Sequence, residues 1–294
     1  MTRRAWLEAG SRRARPEAGS RRARLQPGAL AAALALMLLG IGLGAQAPII
    51  NAVVEHRAVS NGLTREVQAI AQQGRTVWVG YRVPMVRSAS FRVNMNATDT
   101  CCSRCRLEPA TELIVLSKVD RTGVFELRPE AVDCDIDASG MPLVWLDNVR
   151  PEDSVAWLTT IAKDTTPRAG RLTDRALTAL AMHAAAGASP VLVDFARNGA
   201  TAQIKGRALF WLAQRAVEEA VPTIDNAIDS DPDTEVKKQA VFALSRLPKD
   251  EAVPRLIDLA RTHRNPDVRR QAFFWLGQSK DPRAVEFFAS ILLK

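Results

Sequence analysis

The chain has 294 residues, 47% of them hydrophobic and 24% charged, a composition that excludes a disordered or low-complexity protein and leaves room for more than one folded unit. Its formal charge is +8, with 40 Lys and Arg against 32 Asp and Glu, but eight arginines and only two glutamates fall within residues 1–27. The remainder of the chain is nearly balanced in charge, so a basic nucleic-acid-binding surface is not expected.

The N-terminal stretch reads as an export signal. The arginine-rich start contains "EAGSRRAR" twice, an Ala/Leu/Gly run extends from Gly28 to Gly44, and the small residues "AQA" come next at 45–47. The apolar run is short for a membrane span, which needs about 20 residues. Pro48 stands directly after "AQA", so retention as an N-terminal anchor is the alternative to cleavage. Residues 1–47 are therefore assigned as signal peptide or anchor, and the protein as exported: periplasmic, extracellular or anchored in the envelope. Contact with a membrane is expected only through such an anchor.

Residues 48–150 read as a small α+β domain. A helix is expected at 63–73, ahead of the strands. "TVWVGYRV" sets Val77, Val79, Tyr81 and Val83 against Trp78, Gly80 and Arg82, and "SFRVNM" alternates in the same way. "ELIVLSKV" and "GVFELR" flank the turn signal "DRTG", which predicts a hairpin.

All four cysteines, Cys101, Cys102, Cys105 and Cys134, belong to this domain. In an oxidising compartment an even number of cysteines pairs. Neighbouring cysteines bond each other poorly, so Cys134 is expected to join one of the first three while a second bridge closes locally. A tetrahedral zinc site is the rival, although a zinc ribbon would supply a second closely spaced pair. Cys102 and Cys105 also have the spacing of a redox pair. Asp133, Asp135 and Asp137 imitate the start of a calcium loop, but Ala138 and Val144 stand where that loop needs glycine and glutamate. A solvated acidic turn is expected there, with no metal and no cofactor.

From residue 151 onward the chain repeats itself. Ala176, Ala208, Ala240 and Ala272 are spaced 32 residues apart, and so are Leu180, Leu212, Leu244 and Leu276. A fixed period of this size marks stacked helical units. Within a unit, Val236, Ala240, Ala243, Leu244 and Leu247 form one helical stripe and Val253, Leu256, Ile257 and Ala260 a second. Thr201, Asp233 and Asn265 are placed to cap the first helix, and Pro190, Pro222 and Pro254 to sit in the first turn of the second. "EDSVAWLTTIA" (152–162) supplies a leading half unit. The fold class expected is an α+β domain followed, over 151–294, by an all-α solenoid of a half unit and four units.

"DPDTEVKKQAVFALSRLPKDEAVPRLIDLA" resembles the HEAT-like repeat of the phycobilisome lyase type, over about 172–294. "GYRVP", "CCSRCRLE" and "PLVWLDNVRP" resemble the leading part of exported bacterial HEAT-repeat proteins of unassigned function. The resemblance implies the solenoid and the export, and carries over no catalytic residue.

No nucleophile motif of the G-x-S-x-G kind and no phosphate-cradling glycine loop occurs. The histidines are His56, His183 and His263; none is followed by glutamate, and His183 and His263 are expected at the surface. The pairs Lys237–Lys238 and Arg269–Arg270 are expected at solvated, mixed-charge helix ends. Phe210, Phe242 and Phe274 recur at the repeat interval with Trp211 and Trp275 beside them, either filling contacts between successive helices or anchoring a protein or peptide. The last helix, "AVEFFASILLK", is apolar enough to pack on another subunit or on the preceding domain. The function expected is a non-enzymatic scaffold that binds protein or peptide. The alternative is a thiol redox or lyase-like enzyme that uses the cysteine cluster or a groove between the domains.

Overall fold

The computed structural model describes residues 49–86, 110–132, 135–164 and 169–293. The leader at 1–47, the strand expected at 90–95 and all four cysteines lie outside the described residues. The first described part is a sheet. Its elements are β1 (Ile49–Ile50), β2 (Val54–Ala58), α1 (Leu63–Gln72), β3 (Val77–Pro84), β4 (Glu112–Asp120), β5 (Gly123–Ala131), β6 (Ile136–Asp137) and β7 (Leu143–Asp147). Five strands pair in the order β2-β7-β3-β4-β5, and β1 and β6 form a separate parallel pair. Strands β2, β7 and β3 run parallel, while β3, β4 and β5 are antiparallel.

The expected hairpin is β4–β5, with the turn at Arg121 and Thr122. The expected helix is present, but two strands precede it. Strand β2, "VEHRA", was not recognisable because it is an exposed edge strand whose charges suit an edge and hide the β pattern. Strand β7, "LVWLD", is buried on both faces, so it shows no alternation. Among the described residues the other edge is β5, which carries Pro129, tolerated on an edge strand because no further described strand needs its missing N–H.

The alternation read in β3 is real, yet both faces are covered. Val77, Val79, Tyr81 and Val83 join Leu63, Val67 and Ile70 of α1 in the main core. Trp78, with Ile114, Leu116, Leu143 and Trp145, forms a second core under the β1–β6 pair. Gly80 is required on that face, since a Cβ there would lie 2.9 Å from Leu116 Cδ2 and 3.0 Å from Trp145.

The helices are α2 (Pro151–Ala162), α3 (Ala169–Met182), α4 (Ala188–Asn198), α5 (Ala202–Arg215), α6 (Val217–Ser230), α7 (Thr234–Leu244), α8 (Lys249–Thr262), α9 (Pro266–Ser279) and α10 (Pro282–Leu292). Helices α3, α5, α7 and α9 are the first helices of the four units, and α4, α6, α8 and α10 the second. The expected caps form: Thr201 accepts from Ile204 N (3.2 Å), Asp233 from Glu235 N (2.8 Å) and Asn265 from Asp267 N (2.9 Å). Each satisfies an otherwise free amide of a first turn. Pro190 lies in the first turn of α4, but Pro222 and Pro254 are inside α6 and α8. Those helices begin earlier than expected, at Val217 and Lys249, and each gives up one helical hydrogen bond at its proline.

A basic residue recurs at the repeat interval and closes the end of a second helix. Lys205 pairs with Asp231 at 2.8 Å, Lys237 donates to the carbonyls of Ile228 and Asp229, and Arg269 donates to those of His263 and Arg264. Cations are favoured at helix C-termini, where carbonyls lack partners. Lys237 is therefore buried, not solvated as expected. Lys238 and Arg270 do face solvent, paired with Glu235 and Asp267.

The sheet and the first repeat share one core and are also joined through the backbone. Ala184 N donates to Pro84 O and Val86 N to Met182 O, each at 2.9 Å. His183 sits at this seam and is fully buried, which corrects the expectation of a surface histidine. Its Nδ1 accepts from Ala185 N (3.1 Å), and burial together with the nearby Arg215 guanidinium lowers its pKa to about 4. Arg215 occupies the equivalent position one unit later and reaches back to the carbonyls of Ala181 (2.9 Å) and His183 and to Ser189 Oγ (2.8 Å). The burial of the histidine comes from the sheet, which the repeat pattern does not encode.

Candidate functional site

The first helices of successive units place their aromatic residues side by side. Phe210 of α5 stacks on Phe242 of α7 with centroids 5.7 Å apart and planes 7° from parallel, and Phe242 meets Trp275 of α9 at 5.0 Å. The ladder therefore runs Phe210–Phe242–Trp275, departing from the expected phenylalanine register at its last step. Phe274 is turned outward and is 52% exposed, set edge-on to Trp275 at 4.9 Å. Trp211 is only 5% exposed and belongs to the core, so it is withdrawn from the binding set.

Above Phe210 and Phe242 is a groove of about 340 Å³, lined also by Gln203, Gly206, Arg207, Glu235 and Gln239. Gly206 sets the approach of α5 to α7, since a Cβ there would come within 2.7 Å of Gln239 Cβ. Apolar rings at the floor and amide and charged groups at the rim are the composition of protein-contact surfaces. Sequence periodicity located Phe210 and Phe242; the polar rim was missed because Gln203, Gly206 and Gln239 acquire meaning only when two helices are set together.

His56 Nδ1 lies 3.0 Å from Asp147 Oδ2, and both side chains are exposed. Asp137 accepts from Ser139 N (2.7 Å) and Asn51 Nδ2 (3.1 Å), bonds that hold its carboxyl below the usual range and make it a turn residue. No cluster of three or more metal-ligating residues occurs among the described residues. His263 Nδ1 accepts from Asn265 N (3.1 Å) at the end of α8 and is occupied structurally. Cys101, Cys102, Cys105 and Cys134, with any disulfide, zinc or redox role, lie outside the described residues.

A family model of HEAT repeats matches residues 189–263 and 226–294. The chain is similar to the structure of human deoxyhypusine hydroxylase, with 21% identity over 43% of this chain and 43% of that one and a TM-score of 0.35. It is also similar to the complex of CpcE and CpcF of phycocyanin lyase from Nostoc sp. PCC7120, with 16% identity over 48% of this chain and 89% of that one and a TM-score of 0.36. The chain spans less than half the length of the human hydroxylase. No curated protein matches it. The C-terminal helices of this chain are HEAT repeats.

Proposed function

We propose that the protein is an exported, non-enzymatic scaffold that holds a polypeptide along the first-helix face of its HEAT repeats. The observation that carries this reading is the groove over Phe210 and Phe242 with Phe274 exposed beyond it. Aromatic anchors beside polar rim groups contribute most of the energy at protein interfaces, and HEAT repeats commonly serve as helical scaffolds. Export rests on the leader at 1–47, and in that compartment Cys134 pairs with one of Cys101, Cys102 and Cys105. The exposed apolar residues of the last described helix and the residue after it, Val285, Leu292 and Leu293 at 64%, 80% and 86%, serve self-association.

The test is site-specific photo-crosslinking of the full chain in its host, with benzoylphenylalanine at position 274 and, as control, at position 258 on a second helix. A discrete polypeptide adduct from 274 and none from 258 is the expected result. Equal labelling from both positions, or dithiol exchange by the purified protein with no adduct at all, would favour the enzyme alternative.

A further inference from the structure

A second cleft, apart from the aromatic groove and independent of it, lies between the edge strand β5 and helix α3. It is lined by Phe125, Leu127, Arg128, Glu130, Arg171 and Arg175, with Glu126 and Leu172 completing it, and its volume is about 440 Å³. That size is in the range of ordinary ligand sites, roughly 300–1,000 Å³.

The charges in this cleft do not cancel. Glu126 is matched by Lys118 Nζ at 2.8 Å, and Glu130 accepts from Arg128 Nε (3.3 Å) and Nη2 (3.2 Å). Asp174, the carboxylate between the two arginines on α3, is taken by Arg207 of α5. Arg171 and Arg175 stand one helical turn apart, so they project from the same face of α3. Among the described residues neither has an anionic partner. The floor beside them is apolar: Leu127 and Leu172 are buried, and Phe125 is 40% exposed at the mouth.

We propose that this cleft docks an acidic polypeptide segment, with two carboxylates taken by Arg171 and Arg175 and an adjacent apolar side chain resting on Phe125. Guanidinium forks suit carboxylates, which they bind through paired N–H donors. The cleft runs between β5 and α3, and Pro129, which has no N–H to give, keeps a segment lying there from completing a full ladder of backbone bonds with the strand. Recognition therefore comes from side chains, and charge complementarity decides the partner.

The test measures fluorescence anisotropy of the full chain with a labelled Gly-Glu-Glu-Leu-Glu-Glu-Gly peptide, its all-Gln counterpart, and free glutarate as competitor. The acidic peptide is expected to bind about tenfold more tightly than the Gln peptide at low salt and to lose that advantage as salt rises. Arg171→Glu/Arg175→Glu, with circular dichroism unchanged, is expected to abolish the preference, whereas the matched charge reversal Lys238→Glu/Arg270→Glu on the solvated face of α7 and α9 leaves it intact. Equal binding of the two peptides, or a preference that survives the double charge reversal, would overturn the proposal. Displacement by glutarate at the concentration of the unlabelled peptide would assign the cleft to small dicarboxylates and overturn the polypeptide.

Discussion

Tyr81 Oη lies 2.9 Å from Ser154 Oγ, both buried, so that a strand of the sheet and the leading helix of the solenoid are joined by one hydrogen bond inside a shared core. The Tyr81 ring also meets Trp157 edge-on at 5.9 Å, and burial raises the phenol pKa above the usual tyrosine range. Removing either hydroxyl leaves a buried polar partner unsatisfied, whereas removing both leaves none. Tyr81→Phe and Ser154→Ala are each expected to cost about 1–2 kcal/mol in urea denaturation, and the double variant less than their sum. Strict additivity would deny the coupling.

The helical glycines Gly206 and Gly277 should respond in opposite directions to alanine. Beyond its chain neighbours and its own helix backbone, nothing lies within 4 Å of a Cβ added at Gly277, so Gly277→Ala is expected to stabilise by about 0.5–1 kcal/mol through helix propensity. Gly206→Ala must push α7 away from α5 at Gln239, a cost of about 1–3 kcal/mol that outweighs the same propensity gain. Denaturation midpoints of the two variants check this, and a stabilised Gly206→Ala would show that the helices can slide apart freely.

His183 makes stability acid-sensitive. Its folded pKa of about 4 lies below the ordinary 6.5, under the influence of burial, Arg215 and the opposing Glu152. The unfolded chain therefore takes up a proton at a pH where the folded chain does not. The contribution is complete above about pH 6.5 and is lost as pH falls toward 4, reaching about 3 kcal/mol at most. His183→Asn keeps an acceptor for Ala185 N and is expected to flatten the stability profile between pH 6.5 and 4. An unchanged profile would place the acid sensitivity elsewhere.

Arg215 spans one repeat to the last carbonyls of α3, which its fork reaches together with Ser189. Lysine offers a single ammonium at that place, and methionine leaves the buried carbonyls bare. Arg215→Met is expected to destabilise by about 2–3 kcal/mol and Arg215→Lys by less, as read from thermal unfolding. Equal loss in both variants would mean that the fork gives no advantage over a single ammonium at this joint.

The repeat was legible because a helix needs its small and apolar residues at fixed intervals, and Ala176, Ala208, Ala240 and Ala272 are all fully buried as that requires. The caps at Thr201, Asp233 and Asn265 were legible for the same local reason. What failed was non-local. Lys237, within its own helix, and His183, just past the end of α3, look like surface residues and are buried by a neighbouring helix end and by the sheet. Strand β7 shows no alternation because its parallel partners and two covered faces leave no solvent side. The aromatic register was visible, but Trp275 replaces Phe274 in the ladder through packing that a single sequence does not express.

The central claim is that the first-helix face holds a polypeptide, and hydrogen–deuterium exchange of the chain alone and with its crosslinked polypeptide tests it most directly. The account predicts added protection in α5, α7 and α9, centred on Phe210, Phe242 and Phe274, with the second helices unchanged. Protection confined to the second helices, or absent from the solenoid altogether, would contradict it.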